Sequence, residues 1–163
     1  VMSNMGLELL LKKHQIQLLK TKVGDRYVLE EMLKGHYVLG GEQSGHVIFG
    51  QLSTTGDGIL TAVQLLSVMA REKRPLYELA GQMVRLPQWL ENVRVASKEG
   101  WDKNPAIAEA IQKVQAALGD QGRVLVRPSG TEPVIRVMLE GPDLEQIRAM
   151  AQQIKEVIIA ELS

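Results

Sequence analysis

Two apolar runs near the C-terminus constrain this chain more than any other feature. Residues 123–127 read "RVLVR" and residues 134–139 read "VIRVML", with the polar stretch "PSGTEP" between them. Alternation at a period of two marks strands whose faces meet different surroundings. Paired as a hairpin, the runs place Val124, Val126, Ile135, Val137 and Leu139 on one face. Arg123, Leu125, Arg127, Val134, Arg136 and Met138 share the other. Two helical stripes are available to cover the apolar face. One follows the start signal Asn104-Pro105 and carries Ile107, Ile111, Val114 and Leu118. The second starts at Asp143, with Gln146 at capping-box spacing, and carries Leu144, Ile147, Ala151, Ile154 and Ile158. With "ENVRVA" as a further strand, residues 87–163 are predicted to form an α+β domain. It is expected to be a small four-stranded antiparallel sheet with two helices on one face.

Residues 1–86 carry a different pattern. Leu7, Leu10 and Leu11 give a helical stripe, and Ile16–Lys20 reads as a strand. A helix is expected over Asp25–Lys34, with Asp25 as N-cap and Gly35 ending it. "YVLGG" and "HVIF" read as short strands around a polar loop. A long helix after "TTGDG" repeats Ile59, Ala62, Val63, Leu66, Met69 and Ala70 at helical spacing. This order predicts an α/β domain with a partial, largely parallel sheet. Ligands of such sheets bind at loops beyond the strand C-termini. Pro75, Gly81 and Pro87 interrupt the pattern and put the domain boundary at residue 86.

Composition narrows the function. Lys+Arg and Asp+Glu both number 19, so no net field draws the chain to nucleic acid or to a membrane surface. No apolar run approaches the roughly 20 residues of a membrane-spanning helix. The opening lacks the basic region of a signal peptide. The absence of cysteine removes disulfides, thiolate metal sites and a cysteine nucleophile, and suits a cytoplasmic protein. A start at Val1 directly before a helical pattern is that expected of a piece of something longer.

Two loops carry candidate chemistry. In the hairpin, Arg127 and Arg136 converge beside Ser129, Gly130 and Thr131. Paired guanidiniums, hydroxyls and backbone N–H groups suit a phosphate dianion. A solvated surface turn is the alternative from pattern alone. The second loop, Gly40–His46, offers Glu42, Ser44 and His46. A carboxylate beside a hydroxyl can accept from sugar hydroxyls or an ammonium, and a plain turn again stands as the alternative. Asp25 and Arg26 open a helix, where capping competes with ligand contact. The "GDG" at 56–58 holds one carboxylate and reads as a helix cap from Thr55 or Asp57, so no metal ligands are assigned. No serine sits in a hydrolase elbow, and His14 and His36 lack partners at metal or triad spacing.

The stretches "KVGDRYV", "LGGEQSGHVIF", "TTGDG" and "VRPSGTEPVIRVMLEG", in this order, resemble the C-terminal half of the phosphoglucosamine mutase family, within the α-D-phosphohexomutase superfamily. The resemblance runs through nearly the whole chain. Gln43 in "GEQSGH" favours that family over phosphomannomutase/phosphoglucomutase relatives, which remain an alternative, whereas "RPSGTEP" is shared more widely.

The resemblance implies an isomerase that interconverts glucosamine 6-phosphate and glucosamine 1-phosphate on the route to UDP-N-acetylglucosamine. It implies a phosphoserine and a Mg²⁺ loop in earlier domains, with glucosamine 1,6-bisphosphate as intermediate. Neither loop occurs here, so the 163 residues alone are expected to be inactive and to depend on the missing N-terminal domains as partners. A homodimer is a further possibility. Carried over, Glu42, Ser44, His46, Asp25 and Arg26 contact sugar, and Arg127, Ser129, Gly130, Thr131 and Arg136 hold phosphate. A non-catalytic sugar-phosphate-binding module and a nucleic-acid-binding domain using the arginine face are the competing classes. A steep salt dependence would mark the latter.

Overall fold

The computed structural model describes all residues from Val1 to Ser163, and the chain divides into two compact units, Val1–Arg85 and Leu86–Ser163. The first contains α1 (Met5–Lys13), α2 (Asp25–Gly35), β1 (Leu39–Gly41), β2 (Val47–Phe49), α3 (Gly58–Glu72) and α4 (Leu76–Ala80). The second contains β3 (Gln88–Arg94), α5 (Pro105–Leu118), β4 (Arg123–Pro128), β5 (Val134–Glu140) and α6 (Leu144–Leu162). Short 3₁₀ turns at Trp101–Lys103 and Gly119–Gln121 flank α5.

The second unit is a three-stranded antiparallel sheet in the order β3-β5-β4. The expected fourth strand is absent, because no other segment of residues 87–163 carries an alternating run that could pair with an edge. The hairpin register sets Val124 opposite Leu139, Val126 opposite Val137 and Arg127 opposite Arg136. This is the face division that alternation predicts. Helices α5 and α6 cover the apolar face, and the core joins Val93, Ile107, Val114, Ile135, Val137, Leu139, Ile147, Ile154 and Ile158. Asn104 caps α5 by accepting from the Ala106 and Ile107 N–H groups, and Asp143 caps α6 by accepting from Glu145 and Gln146. Each cap satisfies amides that have no carbonyl partner inside the helix. Leu144, expected in the α6 stripe, is instead exposed.

On the helix-free face, Glu140 is fully buried. Its carboxylate accepts from Arg123 Nε at 2.7 Å and from Gln88 Nε2 at 3.1 Å, which satisfies a charge that burial would otherwise penalise. That triad closes the end of the sheet away from the 128–134 turn. The register therefore leaves Arg127 and Arg136 at the turn end.

In the first unit the parallel sheet is not found. β1 and β2 pair antiparallel, Leu39 opposite Phe49 and Gly41 opposite Val47, as the arms of one hairpin around the polar loop. Ile16–Lys20 is not a strand: no strand lies beside it to complete a ladder. Helix α2 packs on the hairpin through Val28, Met32 and Ile48. Gly40 permits this approach, since a Cβ there would meet Met32 Sδ at 2.3 Å. Helix α3 is present and Asp57 is its N-cap, but it buries none of its stripe; Ile59, Val63 and Leu66 are all exposed. No helix of the chain is long and apolar enough to cross a membrane.

Candidate functional site

In the second unit, the 128–134 turn is built from its own backbone. Ser129 N–H donates to the Val134 carbonyl at 2.8 Å, and Val134 N–H donates to the Glu132 carbonyl at 2.8 Å. Ser129 Oγ accepts from the Glu132 N–H at 3.4 Å. Ser129 is consequently buried, while Gly130 and Thr131 stand exposed at the tip. The N–H groups of Gly130 and Thr131 donate to nothing in the chain. Beside them Arg127 and Arg136 face each other across the ladder. Arg136 Nη2 lies 3.4 Å from Glu132 Oε2, and its Nε is buried without a hydrogen-bond partner. An orphaned guanidinium N–H, two unused amides and a second arginine on one face make a concentration of donors without acceptors. Such a set is completed by an anion with several oxygens.

Sequence reasoning missed one neighbour of this turn. Lys98 lies in the turn beyond β3, which is held by Val95 N–H donating to the Pro133 carbonyl and Ala96 N–H donating to the Leu162 carbonyl. Its ammonium donates to the Ser129 carbonyl at 2.6 Å. Nothing local in "VASKEG" signals this, because the contact spans 31 positions. Asn92 was also missed; it pairs with Arg136 on the helix-free face.

In the first unit, the hairpin loop is closed by Glu42 N–H donating to the His46 carbonyl at 2.9 Å and by Gly45 N–H donating to the Glu42 carbonyl at 3.1 Å. Glu42 Oε1 accepts from the Gly24 N–H at 2.8 Å. Gly24 is the N-cap of α2, at φ 125°, a backbone conformation that other residues rarely adopt. Asp25 is thus the first helical residue rather than the expected cap, and its carboxylate accepts from the Arg26 N–H at 2.7 Å. The Glu42 carboxylate is therefore held at the positive end of a helix, where anions are favoured. Ser44 Oγ lies 3.3 Å from His46 Nδ1, and Glu42 Oε2 lies 3.9 Å from the same nitrogen. Glu42, Ser44 and His46 form one polar cluster.

Arg26 does not join this cluster. Its guanidinium donates to Glu30 at 2.8 Å along α2, and that hydrogen bond holds its pKa above the ordinary arginine value. Neither loop offers a metal site. Asp57 is committed to the Ile59 and Leu60 N–H groups at 2.9 Å, and no three His, Asp or Glu side chains gather anywhere in the chain.

Comparison with known proteins gives these two loops a context. Residues 1–86 match the family model described as phosphoglucomutase/phosphomannomutase, alpha/beta/alpha domain III, and residues 90–157 match that family's C-terminal domain. Phosphoglucosamine mutase of Symbiobacterium thermophilum is 70% identical over 162 residues, covering 99% of this chain and 36% of its own length. The enzyme of the same name from Pelotomaculum thermopropionicum is 56% identical over 158 residues, again with 36% of its length covered. The chain thus spans little more than a third of these relatives. Among solved structures, Aspergillus fumigatus N-acetylphosphoglucosamine mutase shares the fold at a TM-score of 0.80 and 17% identity, covering 97% of this chain and 37% of that one. With family models matching both units, the chain belongs to the phosphoglucomutase/phosphomannomutase family, of which it carries domain III and the C-terminal domain.

Proposed function

We propose that these residues are the substrate-holding part of a cytoplasmic phosphoglucosamine mutase, an isomerase that interconverts glucosamine 6-phosphate and glucosamine 1-phosphate. Residues 1–86 are assigned to the sugar and residues 87–163 to the phosphate. The observation that supports this most is the set of donors around the 128–134 turn: Arg127, the partnerless Nε of Arg136 and the Gly130 and Thr131 amides. The identity of 70% to a phosphoglucosamine mutase supports glucosamine as the sugar.

The reaction explains the division of labour. In one half-reaction a phosphoryl group leaves a phosphoserine oxygen and bonds to the free hydroxyl of the sugar monophosphate, giving glucosamine 1,6-bisphosphate. In the other, the phosphoryl group at the opposite end returns to the serine. The sugar must therefore be held in two orientations while its distal phosphate stays anchored. Arg127, Ser129, Gly130, Thr131 and Arg136 supply the anchor, with Arg forks and amides that neutralise phosphate in either pose. Glu42, Ser44 and His46 accept from and donate to ring hydroxyls or the amine, which a loop of mixed donors can do in both poses. Asp25 and Arg26 are assigned to the rim of the same loop, Arg26 with its Nε on Glu30 and the rest of its guanidinium exposed.

Neither loop breaks a bond; both position charge, which is most of what phosphoryl transfer requires of a protein. The donor set here does not fit Mg²⁺, which is assigned, with the serine, to a part of the enzyme outside these residues. Fungal N-acetylphosphoglucosamine mutase, which shares the fold, has been solved with GlcNAc-6P and magnesium and, as a serine-to-alanine variant, with glucose 1,6-bisphosphate. Titration calorimetry tests the proposal. Glucosamine 6-phosphate should bind, unphosphorylated glucosamine should bind far more weakly, and the Arg127→Ala/Arg136→Ala pair should abolish the difference. No heat from the parent chain at millimolar ligand would overturn the phosphate assignment. Magnesium-dependent turnover by the 163 residues would overturn the assignment of the chemistry elsewhere.

A further inference from the structure

We infer that Lys98 is a positioning residue of the phosphate turn, setting the Ser129–Gly130 peptide so that the Gly130 N–H is presented to the anion. The inference rests on the reading of the 128–134 turn as a phosphate site and adds a residue that no comparison assigns.

A trans peptide is planar, and its C=O and N–H point in opposite directions. The chain contains no cis peptide bonds. The Ser129 carbonyl is fixed by the Lys98 ammonium at 2.6 Å. The N–H on the same peptide plane, that of Gly130, must then point away from Lys98. It donates to nothing in the chain, and nothing lies within 4 Å of where a Gly130 Cβ would stand. The tip is therefore open, and its peptide plane would be free to rotate were it not tied at the carbonyl. A charged donor on a carbonyl also polarises the peptide, which strengthens the N–H as a donor.

Lys98 is itself well placed for this role. It is partly buried, and its turn is tied on one side to the Pro133 carbonyl and on the other to the last turn of α6. One ammonium N–H is used on Ser129; the other two have no partner in the chain. Its charge adds to those of Arg127 and Arg136, against the single carboxylate of Glu132 near the turn.

The test is inorganic phosphate titrated into the full 163-residue chain and followed through the Gly130 and Thr131 amide resonances, for the parent, Lys98→Met, Lys98→Gln and Lys98→Arg. Loss of one charge-assisted hydrogen bond predicts about a tenfold rise in Kd for Lys98→Met, with the Gly130 resonance displaced already in the ligand-free spectrum. Lys98→Arg, which keeps the donor and the charge, should recover most of the affinity, with Lys98→Gln between. The thermal midpoint of the second unit should move little, because Lys98 lies outside its core. If Lys98→Met destabilises the unit, the Gln and Arg variants carry the same comparison. Affinity within about twofold of the parent for the Met and Gln variants would overturn the inference and leave Lys98 a strut. Absence of phosphate shifts in the parent would overturn the phosphate reading, and this inference with it.

Discussion

Arg127 and Arg136 stand directly opposite each other in the ladder, so two like charges share one patch with one nearby carboxylate, that of Glu132. Such a pair is held in place by the strands and awaits a counter-ion. Replacing either arginine by alanine should weaken phosphate binding by about tenfold to a hundredfold, the worth of a hydrogen bond to a charged group. Glu132 competes for Arg136 and repels an incoming anion. Glu132→Gln keeps the backbone bond to Ser129 and should tighten phosphate binding about threefold, as expected for an exposed charge. A weaker complex, measured by the same titration, would show that Glu132 supports the site instead. The arginine pair was legible in the sequence because strand alternation alone sorts side chains to faces. The cluster of Glu42, Ser44 and His46 was legible because all three sit in one short loop. Lys98 was not legible, since its partner is distant in sequence and a lysine in a polar turn carries no local signal. The misassigned cap at Asp25 has a similar cause: a glycine N-cap offers no side chain to recognise, and Gly24 instead donates its N–H to Glu42.

Between helix α6 and strand β3, Lys155 donates to Glu91 and Arg148 lies over the Trp89 ring at 4.9 Å. The Glu91 carboxyl is held below its ordinary value, chiefly by the hydrogen bond to Lys155. A carboxyl whose folded-state pKa is depressed adds stability above its unfolded value, about 4.3, and loses it as the pH falls through the folded value. Lys155→Met should therefore cost about 1 kcal/mol or less at neutral pH, and its thermal midpoint should converge on the parent's in acid, as the pH falls through the depressed folded-state value of Glu91. A gap that persists in acid would assign the effect to packing of the lysine stem. Elements with strong start signals, such as α5 at Asn104-Pro105 and α6 at Asp143, were readable because a cap is a local device. Strand count and pairing were not. β1 and β2 each span only three residues, and nothing in three residues distinguishes a hairpin arm from a strand of a parallel sheet. The Ile16–Lys20 strand failed because a strand exists only where a neighbour completes its ladder, and the fourth strand because residues 87–163 hold no further alternating run to pair with a sheet edge.

At the scale of the whole molecule the two units differ in how much core each contains. Leu86–Ser163 encloses a contiguous cluster between one sheet face and two helices, with Ile135, Leu139, Ile147 and Ile154 fully buried. Val1–Arg85 gathers only Val28, Met32 and Ile48, and all but three of the chain's large exposed hydrophobics belong to it. Residues 86–163 alone should therefore unfold in one cooperative transition, and Ile154→Ala should lower its stability by about 2–5 kcal/mol. Amides of the first unit should exchange with solvent well before those of β5, whose backbone is paired on both edges. Equal protection in the two units would contradict this. The two-part organisation was legible from the shift in pattern around Pro75, Gly81 and Pro87, whereas the exposure of the α3 stripe was not, because periodicity gives the face of a helix and not what covers it. The central claim is that one loop takes phosphate and the other takes sugar. An amide-resolved NMR titration of the 163 residues with glucosamine 6-phosphate, inorganic phosphate and glucosamine tests it most directly. The account predicts that Ser129–Thr131 amides shift with both phosphate ligands, and that Glu42–Ser44 amides shift only when sugar is attached. Shifts at Glu42–Ser44 with inorganic phosphate, or none at Ser129–Thr131 with either phosphate ligand, would contradict it.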